Sequence, residues 1–205
     1  IGQQKLLSLP CGADGMNRCY PFPMSSKTGR SQPSSSKSVF AAATWLRWLI
    51  VPKSGHAFVG LDYSAQEFCI AAFASRDPVM IKFASGEEDP HLAFGKHIGE
   101  IPPNATKHSH SALRGIYKVA NLGILMGMGG RSLAAHVNAA LPEGRSPWSH
   151  HDGDKFIGLH QTVFQGFWAW RGRLCRHATS GFPLQSVLGW QVREPLIGMD
   201  SDEYN

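Results

Sequence analysis

The stretch Ser109–Ala134, SHSALRGIYKVANLGILMGMGGRSLA, carries the pattern that decides the fold. Within it, every fourth position from 114 is occupied in turn by Arg114, Lys118, Leu122 and Met126. Because an α-helix has about 3.6 residues per turn, these side chains are predicted to share one stripe, cationic at its start and apolar at its end. Two like charges four residues apart repel each other on an isolated helix, so the pair favours a polyanionic partner such as a triphosphate. The alternative is a solvated cationic face with Leu122 and Met126 in the core.

The composition is typical of a globular protein with a mild basic excess. Among 205 residues, 20 Lys and Arg against 15 Asp and Glu give a net charge of +5, which favours an anionic partner. The four cysteines form no C-x-x-C pair, so neither a disulfide framework nor a zinc site is indicated. No apolar run approaches the roughly 18–20 residues of a membrane span. We therefore expect a soluble, cytoplasmic protein with no membrane partner.

A second pattern lies upstream of the stripe. The apolar run 56–61 predicts a buried strand that ends at Asp62 and is followed by a turn and an apolar helix. A carboxylate at the carboxyl end of a strand lies where ligands commonly bind in sheet proteins. Two other interpretations stay open: Asp62 begins a turn, or Ser64 and Glu67 form a capping box.

The remaining segments predict a mainly helical region. Asp89 and Pro90 predict the start of a helix, with His91 in its first turn as either a donor to an anion or a surface histidine. Further along, the chain is expected to contain a loop, one long helix rich in aromatic residues and a hairpin or short strand: residues 137–153, 155–180 and 186–194, respectively.

In their order along the chain, these patterns resemble the motifs of family A DNA polymerases. The segment Asp62-Tyr63-Ser64-Ala65-Gln66-Glu67 resembles motif A, D-Y-S-Q-x-E. The segment from Arg114 to Gly127 resembles motif B, R-x-x-x-K-x-x-x-F-G-x-x-Y-G. Upstream, Thr28-Gly29-Arg30 resembles the T-G-R segment of the family, and the resemblance covers about residues 20–195.

The resemblance implies an α/β (α+β) fold of the right-hand polymerase type. A partial palm sheet would be joined to a mainly helical fingers subdomain. The implied boundaries are a lead-in at 1–19, a partial palm with motif A at 20–76, fingers with motif B at 77–195, and the start of a return to the palm at 196–205.

The resemblance also assigns roles to residues. Asp62 would hold two catalytic Mg²⁺ ions with the carbonyl of Tyr63, while Arg114 and Lys118 would act in catalysis by gripping the triphosphate of a dNTP. Glu67 would exclude a ribose 2′-hydroxyl and so favour DNA over RNA synthesis. The full dNTP-binding set would be His91, Arg114, Lys118, Leu122, Met126 and Glu67. The residues that would contact the DNA primer-template are Arg30, Asn121 and Gly127.

The sequence also departs from the family pattern. Leu122 stands where Phe or Tyr is usual and Met126 where Tyr is usual, which alters the surface beside the nascent base pair. No later H-D-E-like motif C is found; the nearest candidate, at 200–203, lacks the histidine. We expect a chain truncated at both ends that lacks a palm segment with the second catalytic aspartate, and that is inactive by itself.

Two classes of function fit these patterns. The first is a fragment of a bacterial or phage DNA polymerase that transfers a dNMP from a dNTP to a primer 3′-hydroxyl. The second is a non-catalytic DNA- or nucleotide-binding remnant of such an enzyme. A basic helical structural protein, with a chance match to both motifs, is the more distant alternative.

Overall fold

The computed structural model describes residues 11–18, 21–26, 30–33, 38, 48–186 and 189–192. The chain divides into two units, Ile1–Asp62 and Tyr63–Asn205, and each is described by itself. The boundaries expected for palm and fingers stay predictions. The expected return to the palm at 196–205, with the candidate carboxylates at 200–203, lies outside the described residues.

The Ile1–Asp62 unit does not show the expected palm sheet in its described part. It contains two isolated antiparallel bridges, which pair Cys11 with Asn17 and Phe22 with Gln32. The strand predicted at 56–61 is wrong, since these residues are described and form no strand. A strand needs a neighbouring segment to satisfy its N–H and C=O groups. No described segment pairs with this run, and its apolar side chains are exposed: Phe58, Val59 and Leu61.

The Tyr63–Asn205 unit is mainly helical, as expected for its region. Its described helices are α1 (Gln66–Ser75), α2 (Pro78–Ser85), α3 (Pro90–His97), α4 (Ser111–Leu125), α5 (Gly130–Ala140), α6 (His150–Val163) and α7 (Gln165–Thr179). Two short strands, β1 (Leu184–Gln185) and β2 (Gln191–Val192), pair antiparallel. Of the two structures predicted for 186–194, a hairpin or a short strand, the antiparallel pair agrees with the hairpin, but its first strand lies before the predicted range.

Local cap chemistry explains where several helices begin. The predicted start of α3 is confirmed, since Asp89 caps it and Pro90 is its first residue. The capping box proposed for α1 is wrong: its N-cap is Ala65, which adopts a left-handed conformation with φ 47° and makes no side-chain cap bond. A box would require Ser64 to be the N-cap, three residues before Glu67. The helix instead begins one residue later.

The long helix predicted at 155–180 is two helices, and this prediction is wrong. The chain turns at Phe164, whose φ −108° and ψ 57° are not helical, so that α6 ends and α7 begins there. The side chain of Asp77 accepts a hydrogen bond from the backbone N–H of Phe167 at 3.0 Å and so caps α7 from a distant part of the chain. The loop predicted at 137–153 is shorter than expected, because α5 runs to Ala140 and α6 begins at His150.

The core of this unit is built around one face of α4. Helix α4 packs against α1, α3 and α5, while α1 also packs against α2 and α7. The buried side of α4 presents Ile116, Tyr117, Ala120, Asn121 and Ile124. The rest of the core is largely aliphatic and aromatic: Phe68, Met80, Leu92, Phe94, Leu133, Val137, Phe156, Phe164 and Phe167. This packing leaves the opposite side of α4 available for a site.

Candidate functional site

The predicted stripe lies along the accessible side of α4. Arg114 and Leu122 are half-buried, Lys118 is exposed, and Met126, which caps the C-terminus of the helix, is 67% exposed. The alternative that places Met126 in the core is therefore wrong. The stripe presents a cationic first half and an accessible apolar second half, in the order that the sequence predicts.

Arg114 is held by Asp89 at the start of α3. Oδ2 of Asp89 accepts a hydrogen bond from Nε of Arg114 at 2.7 Å and forms an ion pair with Nη2, also at 2.7 Å. The other oxygen, Oδ1, accepts from the backbone N–H groups of His91 and Leu92 at 3.1 and 3.4 Å. The side chain of Asp89 is 8% exposed and that of Arg114 is 31% exposed. One carboxylate thus caps α3 and fixes the first cation of the stripe.

His91 lies beneath the stripe and is 1% exposed, so the surface alternative for this residue is wrong. Its Nδ1 lies 3.3 Å from Nδ2 of Asn121, and its ring packs edge-on against Phe68. Burial lowers the pKa of His91 to about 4, against the opposing effect of Asp89. The imidazole is therefore neutral at pH 7; with Nδ1 accepting from the Asn121 amide, its proton is on Nε2.

Several charges act on this buried imidazole. Arg114 and Lys118 lower the pKa of His91, whereas Glu67 raises it, after the larger effects of burial and of Asp89. These charged side chains come from α1, α3 and α4, and both α1 and α3 pack against α4. Two cations on the accessible side of a helix, above a neutral imidazole, can bind an anion by charge-assisted hydrogen bonds.

Asn121 is fully buried in α4. Its amide nitrogen donates to His91, and its Oδ1 has no hydrogen-bond partner within the described residues. The structure thus connects this residue, predicted to contact DNA, with the imidazole at position 91.

The glycines at the end of α4 are explained by close packing. A Cβ at Gly123 would lie 2.9 Å from Cδ1 of Leu133 and 3.0 Å from Sδ of Met128. Gly127 has φ 88°, a left-handed conformation that favours glycine, and a Cβ there would lie 3.3 Å from Nη2 of Arg171. The sequence predicts an uncluttered backbone here, and the structure shows that α5 and α7 approach it.

Three further predicted site residues lie at or before the boundary between the two units. Arg30 and Asp62 belong to the Ile1–Asp62 unit, and both are exposed. Tyr63 begins the other unit and is 80% exposed. Mg²⁺ binds carboxylate and carbonyl oxygens, and it commonly takes only one or two protein carboxylates besides substrate phosphates. The carboxylate of Asp62 and the carbonyl of Tyr63 are therefore suitable ligands for the ion. Within the described residues no cluster of three or more His, Cys, Asp or Glu could hold a metal.

A cavity of about 500 Å³ lies next to the cationic group but is separate from it. Its lining includes Asp89, Glu87, Glu88 and Lys107, whereas Arg114 and Lys118 do not line it. The accessible stripe, and not this cavity, therefore contains the predicted anion-binding side chains.

Sequence reasoning missed two contacts at this site. It identified Asp89 as a helix cap but not as the partner of Arg114, which lies 25 residues away. It also missed the bond between Asn121 and His91, which lie 30 residues apart. No local spacing signals either contact, because each depends on the packing of α3 against α4.

Comparisons with known proteins agree with the order of the motifs. The family model described as DNA polymerase family A matches residues 36–198. The chain is also similar to DNA polymerase I of Synechocystis sp., with 30% identity in an alignment of 105 residues that covers 49% of this chain and 10% of that protein. The match thus spans a tenth of that relative's length. Among the described residues, no helix has both the length and the apolar character needed to cross a membrane.

Proposed function

Because the chain belongs to DNA polymerase family A, we propose that it forms part of an enzyme that transfers a dNMP from a dNTP to the 3′-hydroxyl of a DNA primer on a template strand. The match to the family over residues 36–198 supports this reaction class. Since the matched part is a tenth of the bacterial relative, the complete reaction is proposed for the whole protein of which this chain supplies a share.

The observation that carries the proposal is the grouping of Arg114, Lys118 and His91. The guanidinium offers a planar fork that suits phosphate oxygens, and the ammonium of Lys118 adds a mobile point charge four residues later. His91 is neutral and adds no third positive charge; because it is 1% exposed, its Nε2–H would donate to the triphosphate only if the ring became accessible. A hydrogen bond to a charged group contributes about 1.5–3 kcal/mol, so this set favours a triphosphate over an uncharged ligand.

The other residues are proposed to act around the triphosphate. Asp62 and the carbonyl of Tyr63 would hold Mg²⁺, which activates the primer hydroxyl and neutralises charge on the leaving pyrophosphate when it is bound. Glu67 would exclude the 2′-hydroxyl, and Leu122 and Met126 would pack beside the nascent base pair. Arg30 and Gly127 would contact the primer-template, and Asn121 would contact it only if its buried side chain became accessible.

A binding measurement with a matched pair of lysine variants tests the proposal. We expect Lys118→Ala to weaken binding of Mg²⁺–dNTP to the chain about tenfold, because it removes one charge-assisted contact. Lys82→Ala removes an exposed lysine from the last turn of α2 and should change affinity less than about twofold. Equal binding by wild type and Lys118→Ala would contradict the triphosphate role of the stripe.

Primer extension separates the two classes of function. Extension by the chain within its complete enzyme, lost in Lys118→Ala, supports the polymerase. Binding of dNTP and primer-template by that complete protein without extension would instead favour a non-catalytic remnant. Lys118→Ala should reduce primer extension in the first case and dNTP binding in the second, because both depend on the same ammonium group.

A further inference from the structure

We propose that Asp89 is a positioning residue, which holds the guanidinium of Arg114 in the orientation that binds the triphosphate. This inference rests on the proposed function. Oδ2 of Asp89 accepts a hydrogen bond from Nε of Arg114 and pairs ionically with Nη2, whereas Oδ1 accepts from two backbone N–H groups at the start of α3. The start of α3 therefore holds the carboxylate through Oδ1, and the carboxylate holds the Arg114 guanidinium through Oδ2.

The geometry leaves part of the arginine for a ligand. A guanidinium has five N–H donors in a rigid plane. Asp89 occupies the edge formed by Nε and Nη2, so Nη1 and the second hydrogen of Nη2 remain on the other edge. The side chain of Arg114 is 31% exposed, and we assign its second edge to the phosphate. Fixing a flexible side chain before binding reduces the entropy lost when the ligand binds.

A second helix in the same unit provides an internal comparison. Asp77 also precedes a proline and caps a helix, accepting at Oδ1 from the backbone N–H groups of Val79 and Met80. Its Oδ2 accepts from the backbone of Phe167 and not from a cation. Each aspartate caps the start of its own helix through Oδ1, but Oδ2 binds a backbone N–H group in Asp77 and the Arg114 guanidinium in Asp89. A substitution at Asp77 therefore measures the effect of losing a helix cap, whereas one at Asp89 also removes the group that orients Arg114.

The carboxylate of Asp89 also has an opposing effect, since a negative charge near the site repels a triphosphate. Its charge is compensated by Arg114 and by two backbone N–H groups. At 0.5 M salt the Debye length is about 4 Å, which screens the remaining long-range repulsion. A measurement at this ionic strength therefore reports mainly the orientation of Arg114.

The test measures binding of inorganic tripolyphosphate to the full chain at 0.5 M KCl. We expect Asp89→Asn and Asp89→Ser to bind about tenfold more weakly than wild type; serine retains cap function at the start of α3. Asp77→Asn, which perturbs a cap without contacting Arg114, should bind as wild type does when it is folded. Circular dichroism at the assay temperature establishes folding for each variant.

A double-mutant cycle distinguishes positioning from a general loss of structure. In an Arg114→Ala background, Asp89→Asn should cause no further weakening, because the residue on which Asp89 acts is gone. Equal or tighter binding by Asp89→Asn in the wild-type background would overturn the proposal, as would an undiminished weakening in the Arg114→Ala background. Failure of the proposed function gives a different result: Arg114→Ala and Lys118→Ala would then bind tripolyphosphate as wild type does.

Discussion

Asp77 shows how a single buried carboxylate can organise two helices. It is 1% exposed, and its oxygens accept from three backbone N–H groups, those of Val79, Met80 and Phe167, each at 3.0 Å. We expect Asp77→Ala to lower the free energy of unfolding by about 3 kcal/mol, because it removes a cap and leaves buried donors unsatisfied. Urea denaturation measures this change. Ser149→Ala, which removes the exposed cap of α6, is the control and should cost about 1 kcal/mol; an equal cost for both would contradict the argument.

At the scale of residues, the sequence predicts local chemistry and misses partners that are distant in the chain. The cap at Asp89 is readable because the cap, the proline and the first turn lie within a few residues. The pairing of its second oxygen with Arg114 is not, because it depends on how α3 packs against α4. The stripe from Arg114 to Met126 is predicted correctly, since three of its members lie in α4 and Met126 caps that helix. The burial of His91 is missed because the residues that cover it come from other helices.

At the scale of elements, the contact between α5 and α6 depends on two glycines. A Cβ at Gly153 would lie 2.2 Å from the carbonyl oxygen of Gly130, a distance that real atoms do not tolerate. We expect Gly153→Ala to destabilise the chain by at least about 2 kcal/mol, since the backbone of one helix must move away from the other. Thermal or urea denaturation measures the effect.

Gly158 in the same helix is the matched control for Gly153. A Cβ at Gly158 would have no atom of another element or side chain within 4 Å. Gly158→Ala should therefore stabilise the chain by about 0.5–1 kcal/mol, through the higher helix propensity of alanine. The two substitutions are chemically identical, so opposite signs isolate the close approach of the helices. A similar change for both variants would mean that α5 and α6 separate without cost.

Whether an element is predicted correctly depends on where its stabilising contacts come from. Helices α3 and α4 have local caps and clear apolar faces, and the sequence predicts them. The break between α6 and α7 is missed, because the turn at Phe164 is stabilised by burial of its ring and by the distant cap from Asp77. The run at 56–61 has strand-like composition, but within the described residues it lacks the pairing segment that would make it a strand.

At the scale of the whole molecule, two neutral histidines are buried in the helical unit. His91 has its pKa lowered to about 4, and burial together with the charge of Arg171 lowers the pKa of His160 to about 3. Nδ1 of His160 accepts from Nε1 of Trp168 at 3.0 Å, and its ring packs against Phe164. A histidine in the unfolded chain has a pKa near 6.5. The unfolded state therefore binds more protons than the folded state as the pH falls below about 6.5.

This difference predicts how stability depends on pH. Each histidine contributes stability above its unfolded pKa, and this is lost as the pH falls from about 6.5 towards about 4 for His91 and about 3 for His160. Near pH 5 the unfolded state binds close to two more protons than the folded state. The free energy of unfolding should therefore fall by about 2.7 kcal/mol for each unit by which the pH is lowered. Urea denaturation between pH 7.5 and 4.5 measures the slope. His160→Phe should reduce the slope by the contribution of about one proton. The variant should also be less stable overall, because Trp168 loses its hydrogen-bond acceptor. A free energy that stays flat between pH 6.5 and 5 would contradict the burial of neutral imidazoles in this fold.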